Sequence, residues 1–532
     1  WYGEDSWKVS SKLTVEYGIR FYWIQPQYDQ ALQTSTFNPG LFSPSGVAQL
    51  YGQNAAGMAV NPVTGQTAPS AFIGAIVPGT GTTTNGIYTN GIGRAGRNYP
   101  EGLINSRGLQ YAPRLGIAYN FLPKTVLRMG GGVFYDRFQG NPVFQMLTNP
   151  PGVNSPTVYY GNIETAAATP GLNFPAGLSG FSKQGQIPTT YNYNISLQHE
   201  LPSGILLDVA YVGSVSNHLL YSINANGNPF GSANLPQNQI NGSTINQNLY
   251  RPYPGYADIQ QFAFGGNSNY NALQVSVNRR LARNLQVGLA YTWSKALGVA
   301  SNDTDELNPV NYRLGNYGPL AFDRTQVAVI NYIYNLPKVG RNGNIFDNKI
   351  GHVILNNWVF SGITTLESGE PVTLTYNTPA NGANINLGTT GTPSFGPRVV
   401  VEGNPYTSGN GINNYLNAAA FHPAQPGSMG FESGENSIRQ PGFWNFDLSI
   451  FKNIPLPREG TYFELRLESF NTFNHTEFNN LNYNVTFSSL APNATITNLP
   501  TSLGGGGGPF GFGSFNSARE PRIVQIAAKF YF

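Results

Sequence analysis

Cysteine, charge and long apolar runs are scarce or absent in this chain of 532 residues. The absence of cysteine excludes disulfides, thiolate catalysis and Cys-ligated metals. No apolar run reaches about 18 residues, which excludes a helical membrane span. Only 10% of the residues are charged and the net charge is +3. Phosphate binding needs a concentrated basic surface, so this balance gives no reason to expect nucleic acid as a partner.

Aromatic residues and turn formers are abundant instead. Tyr (31) and Phe (32) far exceed Met (4), and aromatic residues make up 13% of the chain. Phe and Tyr favour strands. The 63 Gly and 38 Pro would break long helices but suit the turns and loops between short strands. The composition therefore predicts an all-β protein.

Apolar and polar residues alternate along many segments of the chain. In residues 12–24 the odd positions run from Leu13 to Trp23 and are all apolar or aromatic, whereas the even positions include Glu16 and Arg20. Two hairpins are predicted, one pairing 190–201 with 205–211 and one pairing 273–281 with 285–293 around a turn at 282–284. With an opening strand before residue 9, further strands are predicted at 111–121, 125–136, 322–335, 355–367, 443–452, 461–473 and 522–532.

These strands need a different solvent on each face. Successive side chains of a strand point to opposite faces, so an apolar row can meet lipid while a mixed row meets a wet lumen. The strands are also long enough to cross a bilayer at a tilt, unlike the shorter strands of a soluble propeller. No fixed blade period or stacked short repeat is present. The pattern predicts a transmembrane antiparallel up-and-down β-barrel.

The connections alternate between short and long, as in outer-membrane barrels with tight periplasmic turns and large extracellular loops. Long connections are predicted at 26–110, 137–188, 217–268, 297–321, 368–442 and 474–521, and the connection 336–354 is intermediate. About 13 strands result, an odd number that ends on the periplasmic side. Because single-chain bacterial barrels have an even strand number, we expect residues 1–532 to be the carboxy-terminal part of a longer barrel protein.

Several segments resemble a known family. They are "YNALQVSVNRRLARNLQVGLAYTWSKALG" (270–298), "NNWVFSGITTLESGEPVTL" (356–374), "FELRLESFNTFNHTEFNN" (463–480), the terminal "AAKFYF" and the opening "SWKVSSKLTVEYGIRF" (6–21). Together they resemble the carboxy-terminal barrel of Oar-like TonB-dependent outer-membrane receptors. The resemblance implies a barrel of about 22 strands, of which roughly nine would precede Trp1. It also implies an amino-terminal plug and a TonB box, and neither is present in this chain.

Charged residues on the mixed row are the first candidates for function. The lumen-facing set comprises Glu16, Arg20, Arg128, Asp136, Asp208, Glu464, Arg466 and Glu468. An Arg on the lipid face at the bilayer midplane would cost about 2–4 kcal/mol, which supports this face assignment. The charges either dock a plug or line a conducting wall, or are simply hydrated lumen charges that pair across strands.

Aromatic residues form two groups. Trp23, Trp293, Tyr17 and Tyr291 are predicted to point outward, and an interfacial girdle explains this placement better than ligand stacking. The ligand-binding candidates are the loop aromatics Tyr51, Tyr88, Tyr253, Tyr256, Phe262 and Phe264. These either contact a sugar, peptide or siderophore, or pack the loops against themselves.

Motifs for catalysis, metal or cofactor binding are weak. The five His residues lack metal spacing, and no G-x-S-x-G turn with a downstream acid and His is present. Asp303, Asp305 and Glu306 could bind Ca²⁺, but the segment lacks the Gly and terminal Glu of an EF-hand, and a solvated acidic loop is the simpler interpretation. We therefore expect no cofactor, no metal site and no enzyme activity.

Two functional hypotheses follow. The first is a bacterial outer-membrane receptor that binds a small molecule, peptide or glycan on its loops and imports it, with TonB engaged through an upstream segment. The second is a structural or adhesive barrel that displays long surface loops, since loops of this length usually serve function or are disordered. A passive porin is a third possibility.

Overall fold

The computed structural model describes residues 1–165, 168–282, 284–339, 345–377, 396–407, 411–425 and 427–532. Arg283 of the predicted 282–284 turn and residues 340–344 of the 336–354 connection lie outside the described residues. So do 166–167, 378–395, 408–410 and 426, which fall in the predicted long connections.

Thirteen strands pair in chain order to form one continuous antiparallel sheet. Their bounds are β1 Tyr2–Lys8, β2 Leu13–Trp23, β3 Leu109–Leu122, β4 Thr125–Tyr135, β5 Thr189–Leu201, β6 Ile205–Asn224, β7 Tyr256–Ala282, β8 Leu285–Gly298, β9 Gln326–Asn335, β10 Trp358–Glu367, β11 Phe443–Pro455, β12 Tyr462–Phe470 and β13 Ile523–Tyr531. The predicted number and up-and-down order of the strands are confirmed. β1 and β13 are the two edges of this sheet.

The register separates the side chains of the sheet into an apolar face and a polar face. On the apolar face Leu289 of β8 lies between Val277 of β7 and Ile330 of β9. On the polar face the neighbouring Ala290 lies between Ser276 and Val329. The same division continues to β13, where residue 526 of the apolar face pairs with residue 467.

Aromatic rings cover the apolar face closely. A Cβ atom on Gly213 of β6 would lie 2.3 Å from the ring of Tyr193 of β5, so glycine is what allows this ring to lie flat on the neighbouring strand. The hydroxyl of Tyr211 donates to Oδ1 of Asn271 at 2.6 Å, and that of Tyr193 does so at 3.4 Å. A polar amide on the apolar face is thereby paired within the sheet.

Several strand boundaries differ from the predicted ones. β6 and β7 continue past residue 217 and begin before 268, so the loop between them shortens to 225–255. Most residues of these extensions are buried or half-buried under the loops, which removes the alternation of apolar and polar residues that predicts a strand. Residues 322–325 and 355–357 precede β9 and β10 instead of forming their first residues.

Short elements fill the connections. The helices are α1 Asn141–Gln145, α2 Tyr312–Asn316 and α3 Lys349–Leu355. Among the described residues no helix is long and apolar enough to cross a membrane. Short strands pair as Ser35–Phe37 with Ile92–Arg94, Gly52–Gln53 with Ala59–Val60 and Thr67–Ala68, Thr83–Thr84 with Ile87–Tyr88, Ala176–Phe181 with β7, Gln239–Ile240 with Ser243–Thr244, Gly318–Pro319 with β8, Pro371–Val372 with Ile438–Arg439, Thr375–Asn377 with Asn484–Thr486, Val400–Val401 with Phe421–His422, and Phe478–Leu481 with Phe515–Ala518.

The six long loops lie on the same side of the sheet, and three apolar cores lie among them. We label the loops L1 (24–108), L2 (136–188), L3 (225–255), L4 (299–325), L5 (368–442) and L6 (471–522). L1, L2 and the extensions of β6 and β7 share two cores, one around Phe181 and one around Phe37. L5 and L6 share the third, around Phe487. The loops are therefore folded against one another and carry their own hydrophobic interiors.

Candidate functional site

Seven of the eight charged residues predicted to face the lumen fall on the polar face of the sheet, which spreads them widely, whereas Asp136 lies just beyond the end of β4. Glu16 and Arg20 lie on β2 and contribute to a concavity of about 880 Å³ shared with Arg114 of β3 and Asn194 of β5. The Arg20 guanidinium lies 4.8 Å from the ring centre of Tyr22. Glu16 and Arg20 therefore line a concave part of the sheet between β1 and β5.

Three of the other charges lie farther apart along β4 and β6. Arg128 Nη1 donates to Oε1 of Gln198 at 2.8 Å. Asp208 lies next to Gln198 in the register of β5 and β6. Asp136 follows the last residue of β4, at the loop side, and its carboxylate accepts from the Arg137 backbone N–H at 2.8 Å. None of the three forms an ion pair with another of the eight in the described part of the chain.

Glu464, Arg466 and Glu468 are brought together on β12. Arg466 pairs with Glu464 at 2.8 Å and with Glu468 at 3.2 Å, and its guanidinium lies 4.8 Å from the ring centre of Phe451. Lys529 of β13 faces Glu464 in the register, and Gln525 donates to Glu468 at 2.5 Å. This ladder of alternating charge is satisfied within the wall, which is the arrangement expected of paired lumen charges.

Most of the candidate loop aromatics are inside the loop cores. Tyr88, Tyr256, Phe262 and Phe264 are buried. The hydroxyl of Tyr256 donates to the Asn90 carbonyl at 2.8 Å, and that of Tyr88 to the Pro254 carbonyl at 3.0 Å. Burial raises the pKa of both hydroxyls. In this structure the four side chains pack the loops together, which is the alternative weighed against ligand contact.

The remaining two candidates are half-buried. Tyr253 packs edge-on against Phe37, with ring centres 4.9 Å apart. Tyr51 packs against Phe72, with ring centres 5.9 Å apart. Both rings are therefore engaged in packing while keeping part of their surface exposed.

L4 is the bridge between the two groups of loops. On one side the Leu307 N–H donates to the Ser222 carbonyl of β6 at 2.8 Å. On the other side Asn436 of L5 donates to the Pro319 carbonyl at 2.7 Å. Asp323 is buried, accepts from the Ala296 N–H at 2.6 Å, and forms an ion pair with Arg439 of L5. These contacts hold L4 between β6–β8 and L5.

A polar cleft of about 740 Å³ opens between L4 and L5. L4 contributes polar side chains and the exposed Ala321, L5 contributes Arg398 and Glu435, and L6 contributes Tyr483. The polar groups lining the cleft are Ser301, Asn302, Asp305, Glu306, Asn308, Asn316, Thr373, Arg398, Glu435, Asn436 and Tyr483. Such a lining offers many hydrogen-bond donors and acceptors and only one aromatic ring, so it suits a hydrophilic solute.

Arg398 organises one wall of this cleft. Its buried guanidinium donates to the Leu314 carbonyl at 3.0 Å and to the Gly315 carbonyl, and pairs with Glu435. Burial lowers the pKa of Arg398, and the adjacent Glu435 opposes that shift. Arg398 thus fixes L5 to the end of α2 while contributing positive charge to the cleft.

Acidic groups of L4 also line the cleft. Burial, and secondarily Asp258, raise the pKa of the Glu306 carboxyl. Asp305 accepts from the backbone N–H groups of Ser301 at 2.6 Å and Asn302 at 3.1 Å, so its carboxylate caps its own loop. Within the described ranges no group of three or more His, Asp or Glu residues is placed to hold a metal ion.

The cleft itself could not be found from the sequence. Arg398 and Glu435 lie in L5 segments that carry no recognisable motif, and their approach depends on how L5 folds and packs on L4. The sequence signal nearest to the cleft is the acidic segment 301–308, in which Asp305 caps its own loop and Asp305 and Glu306 line the cleft.

A sheet with one apolar and one polar face, short turns at one end and folded polar loops at the other defines the wall of an outer-membrane β-barrel. The family described as "Outer membrane beta barrel domain" matches residues 1–525, and the chain belongs to this family. It lies in the bacterial outer membrane. No curated protein matches the chain.

Solved structures resemble the chain over its whole length but at low identity. One is the ferric-catecholate import receptor Fiu from E. coli K12, with 10% identity over 100% of this chain and 44% of that one, at a TM-score of 0.39. Another is the outer membrane transporter YddB from Escherichia coli, with 10% identity over 99% and 53%, at 0.41. The copper transporter OprC matches with 10% identity over 100% and 47%, at 0.38. The chain thus spans about half the length of these proteins.

Proposed function

We propose that this chain is the carboxy-terminal barrel part of a TonB-dependent outer-membrane receptor of the Oar-like kind, and that it captures a small hydrophilic solute for import. The observation that carries the proposal is the polar cleft between L4 and L5. It lies on the long-loop side of a wall whose lumen face carries charges from Glu16 to Glu468. A solute released from the cleft would therefore meet a polar surface on its way to the periplasm.

Further parts of the receptor would complete this wall. Unpaired backbone groups at an open sheet edge in lipid cost several kcal/mol each. β1 and β13 are such edges, so we propose that roughly nine additional strands join them to close a barrel of about 22 strands. A plug inside the lumen and a TonB-binding segment upstream of Trp1 would supply gating and energy. No enzymatic step is part of this function.

The proposal is tested by filling the cleft in the full-length receptor. Ala321 is exposed and lines the cleft, so Ala321→Trp adds bulk there without removing a side-chain contact. Ala56→Trp in L1 makes the same exposed change away from the cleft and serves as the control. Depletion of solutes from the medium is measured by mass spectrometry for a deletion strain complemented with each variant, with and without an uncoupler.

We expect at least one solute to be depleted by cells with the native receptor and the Ala56→Trp control, and not by the deletion strain or Ala321→Trp. The depletion should stop when the uncoupler is added. Identical depletion by the deletion and native strains would contradict import. Solute depletion that is the same with and without the uncoupler would favour a passive porin.

A structural or adhesive barrel is the second candidate. It is favoured by the three apolar cores in the loops, because a folded surface can serve contact with other molecules as well as solute capture. Loss of cell–cell or surface attachment in the deletion strain, with no change in solute depletion, would select this function over import.

A further inference from the structure

The connection between β9 and β10 contains the amphipathic helix α3, which belongs neither to the sheet nor to the long loops. Asn348 caps α3 by accepting from the Gly351 N–H at 2.8 Å. Ile350, Val353 and Ile354 have the i, i+3, i+4 spacing that places side chains on one face of a helix. His352 lies on the opposite face, where its ring nitrogen is 2.9 Å from Asp347. The helix therefore has one apolar and one polar face.

The apolar face of α3 is exposed to an unusual degree. Ile350 is 71% exposed, Ile354 56% and Val353 52%. The preceding Ile345 and Phe346 add 84% and 44% exposure. Ile345, Ile350, Val353 and Ile354 thus each leave more than half of their surface exposed, and they form an apolar patch at the short-turn end of the sheet.

Contacts at the end of α3 fix the side of the sheet on which the patch lies. The indole Nε1 of Trp358 donates to the Ile354 carbonyl at 2.8 Å. Trp358 is the first residue of β10 and belongs to the apolar, lipid-facing face, where it pairs with Lys452 of β11. The Lys452 ammonium lies 5.3 Å from the Trp358 ring centre and donates to the Asn356 carbonyl. The helix is thus attached to the lipid-facing side of the wall.

We propose that α3 is an interfacial anchor that inserts its apolar face into the periplasmic leaflet of the outer membrane. The apolar patch is continuous with the lipid-facing row that begins at Trp358, so phospholipid is its occupant. Short turns lie at the periplasmic end of outer-membrane barrels, and Trp is favoured at the headgroup level. Ile350 and Ile354 would then lie among acyl chains, while Lys349 and His352 face the phosphates and water.

Spin labelling of the full-length protein tests this placement. The chain contains no cysteine, so single cysteines can be introduced at Ile350, Ile354 and, as the polar-face control, His352. All three side chains are exposed. Val353→Cys provides another probe of the apolar face if one of the other variants folds poorly. Each nitroxide-labelled protein is reconstituted in bilayers of phosphatidylethanolamine and phosphatidylglycerol, and its collisions with oxygen and with a water-soluble nickel chelate are compared.

We expect labels at 350, 353 and 354 to collide several-fold more with oxygen than with the nickel chelate, and the label at 352 to show the reverse. Nickel access at 350 and 354 equal to that at 352 would place the patch in water and overturn the proposal. Immobile labels shielded from both reagents would show that protein covers it, whether a plug, a periplasmic partner or a second copy, and would overturn it equally.

Discussion

Replacing Leu289 by arginine places a charge at the centre of the lipid-facing row. Leu289 lies four residues from the first residue of β8 and four from Trp293, between Val277 and Ile330 of the neighbouring strands. An Arg at the bilayer midplane of a β-barrel costs about 2–4 kcal/mol. Since each 1.4 kcal/mol is tenfold in an equilibrium constant, the ratio of folded to unfolded protein should fall by about 30- to 700-fold.

The matched control is Ala290→Arg, one residue further along the same strand. Ala290 lies on the lumen face between Ser276 and Val329, where a charge keeps its contact with water and we expect a cost near zero. The free energy of unfolding from phospholipid bilayers is measured by denaturant titration for the full-length protein and both variants. Equal destabilisation by the two arginines, or a larger effect at Ala290, would refute the assignment of the faces.

Three further predictions concern the loops. Phe487→Ala in the buried L5–L6 core should lower the free energy of unfolding of these two loops by about 3–5 kcal/mol and make them sensitive to limited proteolysis. Unchanged protease resistance would argue that L5 and L6 do not fold around this core. Arg398→Met removes the charge pairing with Glu435 and should raise hydrogen exchange in α2 by the equivalent of about 1.5–3 kcal/mol, and exchange equal to that of the native protein would contradict the bridging role of L4. Glu306→Gln should raise thermal stability at pH 7 but not at pH 4. Burial and Asp258 raise the pKa of the Glu306 carboxyl, so its charged form destabilises the folded state at a pH above the ordinary pKa of glutamate and has no effect below it. A gain that is the same at both pH values would show that the charge is not its cause.

The membrane-crossing part of the fold could be predicted because lipid and lumen impose opposite demands on alternate residues. From Leu285 to Trp293 every apolar-row position is filled by Leu, Val, Tyr or Trp, and the strand predicted there is confirmed. The alternation of short turns and long loops gave the strand order for the same reason, since each crossing must return. The alternation of apolar and polar residues is lost outside the bilayer, where the loops fold against one another.

The loops and α3 could not be predicted because their environment is made by the chain itself. Phe37 and Phe487 lie in loop segments without a regular apolar pattern, and their burial depends on contacts between loops far apart in sequence. The seven-residue helix α3 is too short for a helical period to stand out, and its last residue was assigned to the following strand. Arg398 and Glu435 are 37 residues apart within L5, and they meet only once that loop has folded.

The most direct test of the two-faced wall is fluorescence quenching by brominated phospholipids along β7. Single cysteines at Leu273, Gln274, Val275 and Ser276 are labelled with a small fluorophore in the full-length protein. The register places 273 and 275 on the lipid face and 274 and 276 on the lumen face. We expect strong quenching at the two odd positions and little at the two even ones. Uniform quenching, or quenching of the even positions alone, would contradict the placement of this sheet in the outer membrane.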